Sequence, residues 1–250
     1  MDIKSRTHNS TYTDKISILH LSDLHFNKEN EYEIKTVLDS LIADIKKLKD
    51  DDKIHPSFVV ISGDIANEGK KSDYDLALSW LNKLIKIFDV DKDKVFIVPG
   101  NHDVNRDELL EFSKVKFDEQ KSINKFLKST EKEALFKKFN NFSTFISEFY
   151  EEKNPYLDNF YFATSVKVGP HLMGVVGLNS AWFSGEQRFE NNIVIDSKSL
   201  IVGEIQAREA YDSVKDADFC LTIMHHPFSW LADFDEGLIK MIAMENRVMS

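Results

Sequence analysis

The sequence predicts an α/β fold in which a parallel or mixed sheet opens the chain and a second sheet faces it. Three observations carry this expectation. Short β-branched or aromatic runs alternate with helical periods: strand 16–22, helix about 31–49, strand 57–62, helix about 72–88, strand 94–98. Strand-like runs near 160–168, 172–178 and 192–196 then follow one another before a helix near 203–214 and a strand at 219–224. Polar residues of metal-ligand type stand immediately after several of these strands, at the sheet edge where ligands bind in open α/β folds.

The elements follow from local pattern. Ile16 to Leu21, Phe58 to Ile61 and Val95 to Val98 are apolar runs of strand length, the last closed by Pro99. Trp80, Leu81, Leu84, Ile85 and Phe88 recur at helical spacing, which makes them core. Residues about 106–153 break the rhythm with a helical insertion, in which Phe136, Phe139, Phe142, Phe145 and Phe149 form one face. It is expected partly to pack on the sheet and partly to wall the cleft. Its ten basic and ten acidic residues between Val104 and Pro155 give no net charge for recruiting polyanions. Asp235 to Val248 reads as a helix with Leu238, Ile239 and Ile242 on one side. Residues 1–14 read as a polar lead-in and 15–250 as one domain, incomplete at its C-terminal end.

Composition sets bounds. With 250 residues and 42% hydrophobic content the chain can bury a substantial core. A single cysteine excludes an intrachain disulfide. No apolar run reaches membrane-spanning length and Met1 to Lys15 lacks a signal-peptide core, so the expectation is a cytoplasmic chain with no membrane partner. A net charge of −10 disfavours a broad grip on duplex DNA. Nucleic acid stays possible as a substrate, because bound divalent ions reverse the local sign.

The chemistry is concentrated in Asp23-Leu24-His25, Gly63-Asp64, Gly100-Asn101-His102-Asp103 and His225-His226-Pro227, each placed where an apolar run ends. Mixed carboxylate, imidazole and amide ligands suit Mn, Fe or Zn. Asp23 and His25, two apart, can close on one ion. Asp64 has two oxygens and can bridge to a second; two ions about 3.5–4 Å apart activate a water and clamp phosphoryl oxygens. Asn101 adds a neutral oxygen ligand. Gly63 and Gly100 let the backbone turn tightly beside the ions.

These residues resemble the calcineurin-like metallophosphoesterase superfamily, whose pattern runs Asp-x-His, Gly-Asp, Gly-Asn-His-Asp/Glu, His and finally Gly-His-x-His. Four of the five motifs occur in order between Ile16 and Phe228. The resemblance implies a two-sheet β-sandwich flanked by helices in four layers, and metal-dependent hydrolysis of a phosphate ester. It implies a first ion on Asp23, His25 and Asp64, and a second on Asp64, Asn101 and the histidine of the fourth motif. There His225, two residues before the proline, is preferred, with His226 as the alternative. His102 resembles the family's general acid, with Asp103 orienting its imidazole. Two divalent ions are implied, Mn favoured over Fe or Zn. The expected substrate is a phosphodiester, meaning a nucleotide, cyclic nucleotide or nucleic acid, with a phosphoprotein as alternative.

No Gly-His-x-His follows Pro227. The resemblance therefore leaves each ion one ligand short, and reads these residues as the N-terminal part of a longer polypeptide with room for further C-terminal domains. The competing reading is a catalytically weak scaffold. His20, His55 and His171 read as packing, surface or turn residues, and Cys220 as a small buried hydrophobe. Asn179, Ser180 and Trp182 follow a strand end and are candidates to line the pocket.

Overall fold

A computed structural model describes residues 16–51, 55–108, 117–158, 161–184, 196–245 and 248–249. The expected lead-in at 1–14, part of the helical insertion (109–116) and nearly all of the run near 192–196 lie outside the described residues.

The first sheet is β1 (Ile18–Leu21), β2 (Phe58–Ser62) and β3 (Val95–Val98), parallel and in that order. The helices α1 (Glu31–Asp51) and α2 (Lys71–Phe88) make the crossovers. β2 and β3 are buried along their whole length, as the unbroken runs FVVIS and VFIV require of strands covered on both sides. Their side chains alternate between two cores. Val59, Ile61, Val95 and Ile97 face the helices, whereas Phe58, Val60, Phe96 and Val98 face a second sheet.

That second sheet runs β4 (Tyr156–Asp158), β5 (Tyr161–Val168), β6 (His171–Leu178), β7 (Phe219–Met224) and β8 (Val248–Met249). Phe162, Met173, Val175 and Ile223 meet the first sheet from it. β5 and β6 are antiparallel across a tight turn at Gly169, where φ is 56°, while β6 and β7 are parallel. α6 (Glu204–Asp212) covers the outer face, and α7 (Asp233–Glu245) packs on α6. Helices, sheet, sheet and helices make the four layers expected.

The insertion is broken into α3 (Gln120–Leu127), α4 (Glu131–Phe136), a 3-10 turn at Lys137–Phe139 and α5 (Asn140–Tyr150). Two diversions explain the breaks. Ser129 Oγ accepts from Glu131 N at 3.2 Å and restarts the helix, and Lys138 O is taken by Asn105 N at 2.9 Å. Phe139, Phe142, Phe145 and Phe149 are buried in the helix-side core, with Tyr74 of α2 stacked on Phe145 at 5.1 Å. The phenylalanine face therefore packs. Tyr150 and Tyr156 donate their hydroxyls to Val95 O (2.7 Å) and Ile97 O (2.8 Å), closing the free edge of β3.

Candidate metal centre

The loops after β1 and β2 are zipped together by backbone bonds: Asp23 N to Gly63 O (3.2 Å), His25 N to Asp64 O (3.0 Å) and Phe26 N to Ile65 O (2.7 Å). This pairing delivers Asp23 and His25 beside Asp64. All three take left-handed backbone conformations, with φ of 57°, 46° and 53°. Such conformations are costly outside glycine and cluster at functional sites. Two glycines make the approach possible. A Cβ on Gly63 would lie 2.6 Å from His225 Nδ1, and one on Gly100 would lie 2.2 Å from Asp64 Oδ1.

Asp64 is the hub. His225 Nε2 lies 3.5 Å and His25 Nε2 3.9 Å from Asp64 Oδ2, and His102 N donates to Asp64 Oδ1 at 2.9 Å. Asp23 Oδ1 is 3.8 Å from His25 Nε2. Donor atoms of Asp23, Asp64 and His225 lie within 4.8 Å of one another, as do those of His25, Asp64 and His102. Both groups share Asp64, the residue expected to bridge, but they cut across the expected sets: Asp23 stands with His225, and His102, expected as the general acid, stands with His25.

The donor set fits divalent ions. Among the described residues neither Asp23 nor Asp64 pairs with a lysine or arginine; imidazoles surround them, with Ser22 Oγ donating to Asp23 and His102 N to Asp64. Separations of 3.5–3.9 Å are too long for hydrogen bonds. They suit donors that share an ion at roughly 2.0–2.2 Å each. His25 faces the two carboxylates through Nε2, and its other nitrogen, Nδ1, is buried without a hydrogen-bond partner.

Electrostatics follow from burial and these contacts. Burial alone would raise the Asp64 pKa, but the His225 contact and the His102 N–H outweigh it and hold the carboxyl below its ordinary value. For His225, burial pulls down while Asp64 and Ser62 O push up, and the net is a raised pKa. Burial lowers His25, with Asp64 opposing. Burial, assisted by the neighbouring His225, brings His226 down to about 4.

The fourth motif divides its two histidines. His225 Nδ1 bonds Ser62 O at 2.6 Å. A carbonyl only accepts, so Nδ1 carries a proton, and Nε2 is the nitrogen turned toward Asp64 and available as a ligand once it gives up its own proton. His226, 3% exposed, reaches Asn101 Oδ1 through Nε2 at 3.1 Å and Ser180 Oγ through Nδ1 at 2.9 Å. Asn101 thus meets His226, not His225. That contact links residues 125 apart in sequence and has no local signal.

Two expectations are corrected. Asp103 does not orient the His102 ring. Its fully buried carboxylate accepts from Gly100 N (2.8 Å), Ala66 N (2.9 Å), Ile65 N (3.2 Å) and Tyr74 OH (3.0 Å), tying the second and third ligand loops together. Burial pushes its pKa up to about 6 against the pull of those N–H groups. The His102 imidazole is held instead by Asn67 O, 2.9 Å from Nδ1. This partner is a main-chain atom, so residue type could not reveal it. Trp182 does not line the site: it is wholly buried, stacked on Phe126 at 6.3 Å. Of its neighbours, Ser180 does reach the site, and Asn179 pairs with Gln206 beneath it. His20 bonds Ser62 Oγ at 2.7 Å, His171 pairs loosely with Asp218 at 3.6 Å, and Cys220 is buried.

A two-sheet sandwich with aspartates, histidines and an asparagine gathered at its strand ends defines a metallophosphoesterase-type protein. The chain belongs to the calcineurin-like phosphoesterase family, whose sequence profile matches residues 16–238. It is 37% identical over 93 residues to YydB, an uncharacterized metallophosphoesterase-like protein of Bacillus subtilis. That match covers 37% of this chain and 18% of the Bacillus protein, so the chain spans less than a fifth of that relative. A hypothetical protein from Pyrococcus horikoshii aligns structurally over 84% of this chain and 70% of its own, at 14% identity and a TM-score of 0.33. No helix among the described residues is long and apolar enough to cross a membrane.

Proposed function

We propose that this chain hydrolyses a phosphodiester with two divalent ions, Mn by preference, held by Asp23, His25, Asp64, Asn101 and His225. The observation that carries the reading is Asp64, a buried carboxylate shared by two groups of ligand-type side chains and free of any lysine or arginine partner among the described residues. The ions would lower the pKa of a water to produce a nucleophile at neutral pH and would neutralise the phosphoryl oxygens.

The chain's own residues do the rest. Asp64 stands between the two groups. His225, pinned through Nδ1 by Ser62 O, presents Nε2. Asn101 offers its amide oxygen, and His226 and Ser180 behind it fix its position. His102 donates Nδ1–H to Asn67 O, so in the imidazolium form its Nε2 proton is free to pass to the leaving oxygen. A short 3-10 turn at Asn101–Asp103 carries both residues, and the Asp103 carboxylate anchors that turn to the β2 loop. The preference for diesters rests on likeness to family members with His-His-Pro at the fourth motif.

The test is turnover of an aryl and an alkyl phosphodiester by the Mn-loaded protein and by His102→Ala. General acid–base groups contribute roughly 10²–10⁴-fold, and a proton donor matters most when the leaving group is a poor one. His102→Ala should therefore slow the alkyl diester by about that factor and the p-nitrophenyl diester far less. Equal losses on both substrates, or hydrolysis of monoesters alone, would overturn the reading.

A further inference from the structure

We propose that Trp230 is a stacking platform for the base of a nucleotide-type phosphodiester, an inference that rests on the hydrolytic reading of the neighbouring site. Trp80 and Trp182 are buried, at 5% and 0% exposure, as large indoles in a core should be. Trp230 keeps 40% of its surface in water. One side of its ring stacks on His226, with centroids 5.6 Å apart and planes 26° from parallel. His226 in turn touches Asn101 at 3.1 Å and packs edge-on against His225 at 4.6 Å. Among the described residues the other exposed large apolar side chains lie on α1 (Tyr32, Val37, Leu48), on α7 (Met241, Met244), or at Ile18 and Leu157. None of these stacks on a ring of the site.

The indole is held in place although it is exposed. It closes the 3-10 turn Phe228–Trp230, where Trp230 N donates to Pro227 O at 2.9 Å. Trp230 O accepts from Leu200 N at 3.3 Å, and the next residue, Leu231, is wholly buried and bridged to Leu200. A turn tied down through its backbone that leaves an aromatic face in water forgoes the burial that would stabilise it. His226 links the indole to Asn101 from its covered side, and the remaining exposed surface of the indole is a flat π-face for a base carried on the diester's substituent. Aromatic stacking accepts any base, so the platform selects nucleotides over alkyl or sugar diesters without reading sequence.

Two substrates with one leaving group separate this from a purely structural role: thymidine 5′-(p-nitrophenyl phosphate) and methyl p-nitrophenyl phosphate. The wild type should favour the thymidine diester. Trp230→Ala should lower kcat/KM for it roughly tenfold, the equivalent of ~1.4 kcal/mol and within the range for one stacked base. Turnover of the methyl diester and Mn bound per chain should stay within about twofold, and Trp230→Phe should restore most of the thymidine preference. A binding arm needs no turnover: thymidine 5′-monophosphate should quench tryptophan fluorescence in the wild type and do so far less in Trp230→Phe. Equal losses on both diesters in Trp230→Ala would overturn the inference by making Trp230 a prop for His226. Nucleotide binding indifferent to Trp230 would overturn it too. Trp230-dependent nucleotide binding without turnover of either diester would leave the platform standing and remove the hydrolytic reading.

Discussion

Replacing Asp103 by alanine deletes a carboxylate that holds the second and third ligand loops together. Three backbone donors, Gly100 N, Ala66 N and Ile65 N, would lose their acceptor in a region where Asp103 and Ile65 are wholly buried. Tyr74 would keep a partner, because its hydroxyl also reaches Asp103 O at 3.1 Å. Each orphaned buried donor costs about 1–3 kcal/mol. Water admitted to the space left by the side chain offsets part of this, so a net loss of about 3–5 kcal/mol is expected. A domain of this size loses about 2–4 °C of Tm per kcal/mol, which makes the expected fall at least ~6 °C. Thermal unfolding followed by calorimetry, with and without Mn, measures it. The Gly100 N–H leads directly into Asn101 and His102, so Mn affinity should fall in parallel. A Tm within 2 °C of the wild type would refute the argument that Asp103 is the loop anchor, and so would normal Mn affinity.

Asp103 also sets a pH window. Its folded pKa of about 6 lies above the ordinary 3.8, so the folded state holds this proton more tightly than the unfolded state does. Its contribution is greatest below about pH 4 and declines by ~3 kcal/mol as the pH rises through about 6. The stability difference between wild type and Asp103→Asn, from urea melts at pH 4 to 7, should follow that decline; a flat difference would contradict it. Gly63→Ala places a Cβ 2.6 Å from His225 Nδ1 on a backbone with φ of 99°. The backbone alone should cost about 1–3 kcal/mol, and the displaced His225 should weaken Mn binding, both readable in one Mn-titrated melt. Unchanged stability and Mn affinity would refute it. The Cys220 thiol is buried and its pKa is raised by that burial. Aromatic disulfide reagents should label it slowly in the native protein and rapidly in denaturant, and fast native labelling would count against its placement.

What the sequence reveals is what is local. The β-branched runs of β2 and β3, and the polar motif after each, identify strand and ligand together, because burial on both faces demands apolar residues and the strand end demands a turn. The residue types at Asp23, His25, Asp64, Asn101 and His225 carry their chemistry wherever the fold puts them. Partners drawn from elsewhere are not legible. Asp103 follows His102 in sequence, which suggests a shared task, yet its four donors come from two loops and a helix, and the ring is held by a carbonyl. The division of labour between His225 and His226 depends on which way each ring turns at the end of β7. The three-residue β4 is too short to show a period. The breaks within the helical insertion are not legible, because its phenylalanines keep their spacing across interruptions set by Ser129 and by a bond to Lys138 O.

The central claim is that the side chains gathered around Asp64 form a centre for two ions. Elemental analysis of Mn per chain after loading and desalting, on wild type and Asp64→Ala, tests it most directly. About two ions per chain, falling below one in the variant, is the predicted result. Less than one ion per chain in the wild type, or equal loading of the two proteins, would contradict the claim.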